Sequence, residues 1–522
     1  MKRSCYGLSM IFAALWAAAC GSGGTSIGPP PPNNGFSNSN LQGQFAFSMS
    51  GSDASSGVTE PFSRVGSFTA DGNGNITGGV EDVNLNFAGG GSPRLVFTGG
   101  SYTINSDGRG SLSLVNSSGT TTFSISLTSP TAGYIVDLPT DGLSTASGSF
   151  TKQNSASFTV AGITGPYAFD LSGEDGTGNP ESFMGQIVSS GNGNFTSGLL
   201  DDNDAGQVNG GNGGGAAISG TYGIDGANSG DLSTFGRGVF TIAGVVSGVF
   251  YVIGPNQVKL METSTGGTLS GDAFLQTNVP TTTAGFNGGF VYVMGGAGVG
   301  GPLTRGGKFA TTGSNLTLSS VLVDNNNAGS EVNLNTATTG SYTIDSNGTG
   351  RGTLTYTISG QKNPFTYVFY LMSPTQGVVQ DQSIGIVADG SLLAQGSGSI
   401  SNSSLAGTYA MNWSGVTSVN GGFTGEEDLI GATTLGSGSL TGTIDLNEFS
   451  SGFQYTGVQL TGTLAINGDG TGHNALTVNL VTPNKPNNGI TAFAYVANNN
   501  NILIMTTQSV RVAAGVLTPS AP

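Results

Sequence analysis

The strongest constraint on the fold is an internal repeat of about 120 residues. A short phrase, an apolar residue two positions before Gly and an aromatic residue two positions after it, occurs four times. Its glycines are Gly43, Gly165, Gly288 and Gly407. This period is much longer than the roughly 20–50 residues of a solenoid repeat and matches an independent domain. The repeat predicts four domains, at 41–153, 163–277, 284–397 and 405–517.

Each unit also carries a second shared phrase, followed by a Gly-rich turn. The first copy is Ser101-Tyr102-Thr103-Ile104, and the others lie at 221–224, 341–344 and 463–466. The turns after them lie at 107–110, 235–238, 348–352 and 468–472. The fourth unit has Leu464 in place of the tyrosine and is the most diverged.

The pattern within a unit predicts strands and almost no helix. Apolar residues alternate with small or polar ones, as in Phe45, Phe47 and Met49, and this period of two is typical of a strand with one buried face. Turn sequences such as Asn73-Gly74 and Asp107-Gly108 separate the alternating runs. In the first unit we expect strands near 43–50, 62–70, 75–86, 94–105, 110–116, 121–128, 133–138 and 146–153.

Consecutive hairpins without a crossover helix indicate an antiparallel meander. Eight such strands leave two exposed edges unless the sheet closes into a barrel. The opening phrase resembles the Gly-x-Trp start of lipocalin-like domains, with Phe45, Tyr167, Phe290 and Tyr409 in place of the tryptophan. The resemblance implies an all-β chain of four tandem antiparallel meander β-barrels. The alternative is four immunoglobulin-like β-sandwich repeats.

The N-terminal segment has the features of an export signal. Lys2 and Arg3 precede a short apolar run, too short to span a bilayer, and Ala17-Ala18-Ala19 lead to Cys20. Residues 1–20 resemble a bacterial lipoprotein signal, although Ala17 stands where leucine is usual. The resemblance implies lipidation of Cys20 and, with Gly21 next, sorting to the outer membrane. Residues 21–40 are rich in Gly, Ser, Pro and Asn, and we expect a disordered tether.

Charge and cysteine content exclude several classes of function. The net charge of −16 becomes −18 once the signal, with two basic residues and no acidic one, is removed. We expect an acidic surface, which does not attract nucleic acid phosphates. No cysteine follows residue 20, so the body has neither a disulfide nor a thiolate metal site.

One acidic pattern recurs in all four units as a candidate site. The pairs are Asp82 and Asn84, Asp202 and Asp204, Asp324 and Asn326, and Asp445 and Asn447. Such side chains can cap a strand end through a local backbone hydrogen bond. Alternatively they could supply oxygen ligands to Ca²⁺. We expect no other cofactor and no other metal.

Other polar features predict structural roles. His473 is the sole histidine, which argues against a catalytic triad, and we expect an exposed turn residue. The run Glu426-Glu427-Asp428 is typical of a solvated loop. Asp71 to Asn75 predicts a turn, Asn209 to Gly215 a flexible loop, and Trp413 a core residue.

The chain as a whole resembles the secreted, multi-repeat lipoproteins of environmental Gram-negative bacteria. The resemblance implies a location at the outer membrane or extracellular surface, held to the membrane by the N-terminal lipid. We expect a non-enzymatic protein that binds or adheres through its loops to an extracellular protein or a polysaccharide, and no nucleic acid. The alternatives are a secreted hydrolase that uses paired carboxylates, such as a glycosidase, and a structural spacer.

Overall fold

A computed structural model of the chain describes twelve stretches. They are residues 35–85, 94–209, 215–264, 267–334, 337–396, 398, 400–419, 421–449, 453–467, 472–481, 489–498 and 501–522. The predicted signal, Cys20 and most of the tether lie outside the described residues, as does most of the loop predicted at 209–215.

The first two units form two sheets. Barrel 1 contains β1 (Gln42–Asp53), β2 (Glu60–Asp71), β3 (Asn75–Leu85), β4 (Arg94–Phe97), β5 (Gly99–Ile104), β6 (Arg109–Asn116), β7 (Gly119–Ser129), β8 (Ala132–Asp137) and β9 (Ser144–Lys152). Barrel 2 contains β10 (Thr164–Glu174), β11 (Pro180–Ser190), β12 (Asn194–Asp204), β13 (Gln207–Asn209), β14 (Ala216–Ala217), β15 (Gly220–Gly223), helix α1 (Asp231–Phe235), β16 (Arg237–Ile242), β17 (Val246–Gly254), β18 (Gln257–Glu262) and β19 (Ser270–Leu275).

The third and fourth units form two more. Barrel 3 contains β20 (Asn287–Gly298), β21 (Gly301–Thr312), β22 (Leu322–Asn327), β23 (Ser330–Leu334), β24 (Ala337–Ile344), β25 (Arg351–Ile358), β26 (Phe365–Ser373), β27 (Gln376–Asp381) and β28 (Val387–Ala394). Barrel 4 contains β29 (Gly407–Val419), β30 (Gly422–Gly436), β31 (Ser439–Glu448), β32 (Phe453–Ala465), β33 (His473–Val481), β34 (Gly489–Val496), β35 (Ile502–Thr506) and β36 (Arg511–Pro519).

Strand pairing closes the sheets of barrels 1, 2 and 4. In barrel 1, β1 pairs with both β2 and β9, and β3 completes the circle by pairing with β2 and β5; barrel 2 repeats this order with β10, β11, β19, β12 and β15. Barrel 4 is a closed circle of eight strands. In barrel 3 the pairing runs in open order from β23 to β24, and the turn Leu318–Ser320 contacts both β21 and β24 across the gap. The predicted antiparallel barrels are confirmed, and the sandwich alternative is wrong.

The barrel interiors are filled by large side chains. In barrel 1, Phe45 stacks on Phe68 with ring centroids 5.6 Å apart, and Phe150 lies edge-on to Phe45. Trp413 is fully buried in barrel 4, as predicted. Barrel 2 keeps a small apolar cavity of about 40 Å³. That volume is far below the roughly 300 Å³ of the smallest usual ligand pockets, so the interiors act as cores.

The four barrels close into a ring. The first two strands of each barrel pack on late strands of the next: β1 and β2 on β17 and β18, β10 and β11 on β26 to β28, and β20 and β21 on β34 to β36. The ring closes because β29 and β30 of barrel 4 pack on β7 to β9 of barrel 1. We call these contacts seams 1–2, 2–3, 3–4 and 4–1.

The ring has two different faces. In each barrel the first strand pairs antiparallel with the last, so the chain leaves the barrel at the end where it entered. The linkers 153–163, 276–286 and 395–406 therefore lie on one face, the linker face. The opposite face, the loop face, carries the turns that follow the first strand of each barrel. Each linker contributes a buried apolar residue, Phe158, Phe286 or Leu405.

The last six residues of the predicted disordered tether have a defined structure. Residues 35–40 lie against the linker face of barrel 1, where Phe36 is buried in the core and Asn38–Asn40 form a 3-10 turn. The Oδ1 atom of Asn38 accepts a hydrogen bond from the backbone N–H of Ile104. The buried Phe36 side chain and the hydrogen bonds of residues 36 and 38 to the barrel together hold this segment in place.

Candidate functional site

The predicted acidic pair of the first unit lies on the outer face of β3, in seam 1–2. Two nitrogens of Arg237, 2.7 and 2.8 Å away, donate to the two carboxylate oxygens of Asp82, and the Tyr251 hydroxyl donates a third hydrogen bond. Burial opposes the charge of Arg237, but its hydrogen bonds to Asp82 outweigh this and raise the arginine pKa. Asp82 therefore joins two barrels.

Seam 2–3 repeats this arrangement one residue earlier than predicted. Asp201, rather than Asp202, makes two 2.8 Å bonds with Arg351 and accepts from Tyr370. Likewise Asn203 takes the place predicted for Asp204. The correction has a simple cause: a shift of one residue along a strand moves every side chain to the other face of the sheet.

Seam 3–4 contains the sole histidine. The Nε2 atom of His473 lies 2.8 Å from Asp324, and the Tyr495 hydroxyl donates to the same carboxylate. His473 is 9% exposed and packs beside Phe493 and Tyr495, so the prediction of an exposed turn residue is wrong. It begins β33, at the position that Arg237 and Arg351 occupy in the preceding barrels.

Seam 4–1 completes the set. The Nη1 atom of Arg109 lies 3.0 Å from Asp445, and Asp107 also contacts this arginine. In barrel 1, Ser126 occupies the strand position that Tyr251 has in barrel 2. The Ser126 hydroxyl donates a hydrogen bond to the backbone carbonyl of Gly431 in barrel 4. The basic partner of every seam thus follows the Gly-rich turn, a signal already visible in the repeated phrase.

The asparagines of the pattern bind backbone across the seams. Asn84 donates to the carbonyls of Glu262 and Gly267 at 2.8 and 2.7 Å. Equivalent bonds run from Asn203, Asn326 and Asn447 to the next barrel. Each asparagine therefore binds the backbone of the neighbouring barrel. The sequence predicts instead a local hydrogen bond at the end of its own strand.

A glutamine after the last strand adds a third repeated contact. Gln153 donates to the carbonyls of Phe235 and Val252, and Gln276 does the same with Thr349 and Leu371. Gln395 fills this place in seam 3–4 and Ser520 in seam 4–1. Sequence comparison alone missed these residues, because they lie in linkers that diverge between repeats.

The acidic run of the fourth unit is not a solvated loop. Glu426, Glu427 and Asp428 lie within β30, and all three are buried. Glu427 points into barrel 4 and pairs with Arg511 at 2.8 Å. Glu426 and Asp428 point outward into seam 4–1. The prediction failed because the acidic run interrupts the apolar alternation that marks a strand.

Inward-facing carboxyl groups mark the loop end of the barrels. In barrel 1, Arg64 lies beside Glu81, and in barrel 3, Arg305 pairs with Asp381. In barrel 2 no such pair is present among the described residues, and Phe183 stands where the other two have arginine. Burial, followed by repulsion from Asp202 and other neighbouring acids, raises the pKa of Glu181 there to about 8.

The buried acids change the expected surface. More than half of the chain's 30 acidic residues are buried, so the surface is much less acidic than the composition predicts. Across the described stretches, no group of three or more His, Cys, Asp or Glu side chains could hold a metal. The calcium hypothesis gains no support from this geometry, because Asp82, Asp201, Asp324 and Asp445 bind arginine, histidine or tyrosine.

The predicted turn at residues 71–75 is present at the linker face. Asp71 accepts hydrogen bonds from the backbone of Asn73 and Asn75 and from the Asn75 side chain, which lower its pKa to about 2. The Asp71 carboxylate therefore stabilises the turn between β2 and β3.

The loop face carries exposed aliphatic side chains. Val299 and Ile384 are 79% and 87% exposed, and the Val299 side chain lies against Gly385. Val58 and Leu143 are exposed on the corresponding loops of barrel 1. On the linker face, Ile224 is the large apolar side chain left most open in the described residues. The loop face is the one with the more apolar accessible surface.

The fold and its seams define this chain as a ring of four antiparallel β-barrels with approximate fourfold symmetry. No family model matches the sequence, and no curated protein matches it. Within the described residues, no helix has the length and apolarity needed to cross a membrane.

Comparison with solved structures returns transferrin-binding protein B. A mutant of this vaccine antigen from Haemophilus parasuis is 9% identical, with a TM-score of 0.18, and the match covers 74% of this chain and 81% of that chain. The isotype 1 protein from serogroup B Neisseria meningitidis is 11% identical, with a TM-score of 0.18 and coverage of 74% and 84%. At such TM-scores the likeness carries no argument about function.

Proposed function

We propose that this protein is a non-catalytic lipoprotein of the bacterial cell envelope that binds an extracellular protein through its loop face. The lipid on Cys20 would hold it at the outer membrane or extracellular surface. One observation carries the proposal: residues 35–40 enter the ring at the linker face, while the two most exposed aliphatic residues, Val299 and Ile384, lie on the opposite face. A tether on one face leaves the other free for recognition, which loops on a rigid scaffold usually serve.

The chemistry of the loop face favours a protein partner over a polysaccharide. Among the described residues, the exposed large apolar side chains are all Val, Leu or Ile, with no aromatic platform for a sugar ring. Aliphatic groups such as Val299 and Ile384 suit an apolar patch on another protein. The net negative charge argues against nucleic acid as a partner.

A binding assay with matched variants tests the loop face. The double variant Val299→Ser/Ile384→Ser should weaken binding of the chain to intact host or neighbouring cells by about tenfold or more, since each buried aliphatic side chain contributes roughly 1.5–3 kcal/mol. The control Ile224→Ser removes an exposed aliphatic residue from the linker face, 52% accessible, and should bind like the wild type. Equal binding by all three proteins would contradict the proposal.

Metabolic labelling with a fatty acid tests the anchor. The wild type should be labelled and should partition with membranes, whereas Cys20→Ser should stay unlabelled and soluble. If the wild type stays unlabelled and soluble, the lipoprotein part of the proposal is wrong, whatever the binding assay gives.

The hydrolase alternative has less support. A glycosidase needs two carboxyl groups on either side of a bound sugar. The outward-facing carboxyl groups of Glu426 and Asp428 are buried in seam 4–1, and those of Asp170, Asp272 and Asp389 are buried as well, which leaves no room for a sugar beside them. Turnover in a hydrolase panel, abolished by one Asp or Glu substitution, would reverse this conclusion.

A further inference from the structure

Seam 4–1 is the one seam that no linker spans. Barrels 1, 2, 3 and 4 follow one another along the chain, so seams 1–2, 2–3 and 3–4 stay tethered even if their contacts break. At seam 4–1 only the C-terminal residues cross: Ser520 donates to the carbonyl of Leu127, and the backbone N–H of Ala521 donates to that of Thr128. Loss of this seam would turn the ring into a linear row of barrels.

Seam 4–1 also has the smallest apolar contact. Its buried apolar residues are Tyr134, Val136, Ala410 and Ile430. Seams 1–2 and 2–3 each bury a cluster of seven apolar residues, and seam 3–4 buries eight. Because the hydrophobic free energy scales with the apolar area buried, seam 4–1 depends more on polar contacts than the others do.

Two buried carboxyl groups supply those polar contacts. Asp428 accepts hydrogen bonds from Thr145 and Ser147 of barrel 1, both at 2.8 Å. Glu426 is hydrogen-bonded to Ser52 of the same barrel. A hydroxyl can donate to a carboxylate and can also accept from a protonated carboxyl group, so these bonds form in either state.

No basic group of the described residues neutralises this pair. The other ionisable groups that act on it are Glu174 of barrel 2 and Glu427 of barrel 4, both acidic. Asp445, Arg109 and Tyr134 lie elsewhere in seam 4–1. The two nearby guanidinium groups are already engaged, Arg109 with Asp445 and Arg511 with Glu427.

Ionisation of both groups would place two like charges in a dry interface. Burial, followed by repulsion from Asp428, raises the pKa of Glu426 well above its usual value, and burial likewise raises that of Asp428. Opening the seam would return both carboxylates to water and relieve the penalty.

We propose that seam 4–1 is a pH-dependent latch, closed while Glu426 and Asp428 share bound protons and open once both carboxyl groups have ionised. The sign follows from linkage: a group whose pKa is raised in the closed state stabilises that state at low pH, and the stabilisation is lost as the pH rises. Seam 2–3 also buries two carboxyl groups, Asp170 and Asp389, but seams 1–2, 2–3 and 3–4 keep their linkers and their larger apolar clusters and stay closed.

Energy transfer between dyes on two barrels tests the latch. The mature chain with Cys20→Ser has no cysteine, so Thr140→Cys in barrel 1 and Thr441→Cys in barrel 4 report on seam 4–1. Thr140→Cys with Asn256→Cys in barrel 2 reports on seam 1–2. As the pH rises from about 5 to about 9, transfer across seam 4–1 should fall at least twofold while transfer across seam 1–2 stays constant.

Substitution assigns the effect to the pair. Glu426→Gln/Asp428→Asn should keep transfer across seam 4–1 high throughout, whereas Glu60→Gln, a carboxyl outside the seam, should respond like the wild type. Deletion of residues 520–522 should move the opening to lower pH. Constant transfer in the wild type, or an unchanged response in the double variant, would overturn the proposal. If the double variant fails to fold by circular dichroism, Glu426→Gln alone and the deletion decide by the same criteria.

Discussion

At the scale of single residues, each seam depends on one acid placed on the outer face of a third strand. The sequence marks these acids only by their recurrence, and their function comes from the basic residue that the next barrel brings to them. Asp82 and Arg237 are 155 residues apart in sequence and 2.7 Å apart in space. Such a pair is costly to break, because removal of one partner leaves the other charged and buried.

A pair of adjacent substitutions tests this assignment. Asp201→Ala should destabilise the protein by about 3–5 kcal/mol, since it leaves Arg351 buried without its carboxylate. Asp202→Ala, one residue away on the inner face, should cost clearly less. Urea denaturation, monitored by far-UV circular dichroism, compares the free energies of unfolding of the two variants. Equal losses would indicate that seam 2–3 is not held by Asp201.

Glu181, at the loop end of barrel 2, predicts that the stability of the protein depends on pH. Burial raises the pKa of Glu181 to about 8, above its value in the unfolded chain. Its protonated form therefore stabilises the fold at low pH, and this contribution disappears as the pH rises through about 8. The melting temperature should fall between about pH 5 and about pH 9, and Glu181→Gln should reduce the fall. An identical slope in the variant would contradict this.

At the scale of elements, the opening glycine of each unit allows the chain to enter its barrel. Gly43, Gly165, Gly288 and Gly407 have φ values of +110°, +112°, +120° and +151°. A side chain is strained in this region, so glycine is required where the linker turns into the first strand.

Substitution of two glycines distinguishes the cost of backbone strain from the cost of steric crowding. A Cβ atom at Gly288 would meet nothing within 4 Å, so Gly288→Ala tests the conformation alone and should cost about 1–3 kcal/mol. Gly226 is equally open but lacks a positive φ, and Gly226→Ala should be neutral or slightly stabilising. Thermal unfolding of the two variants measures the difference; a stable Gly288→Ala would show that the turn tolerates a side chain.

At the scale of the whole molecule, the ring changes how the repeats should be understood. Independent domains on polar linkers would be cut readily between units. Here the linkers carry buried residues and bind the next barrel through Gln153 and Gln276. Four modest interfaces thus give one compact body with a loop face and a linker face.

Limited proteolysis checks this organisation. Cleavage within 153–163, 276–286 and 395–406 should be slow at pH 5, where the ring is closed. Gln276→Ala should speed cleavage at 276–286 selectively, because it removes two hydrogen bonds to barrel 3. Rapid cutting of the wild type at all three linkers would indicate separate domains.

The sequence by itself determined the repeat, the strands and the barrels. The strands predicted in the first unit lie within about three residues of those observed, because alternation and Gly turns are local signals. The sequence could not predict the surroundings of His473, Glu426 or Asp428, because their partners lie in other barrels. Only the tertiary structure decided that the units close into a ring and that their acids lie in its seams. Contacts between distant residues depend on which faces meet, and a local pattern carries no record of that choice.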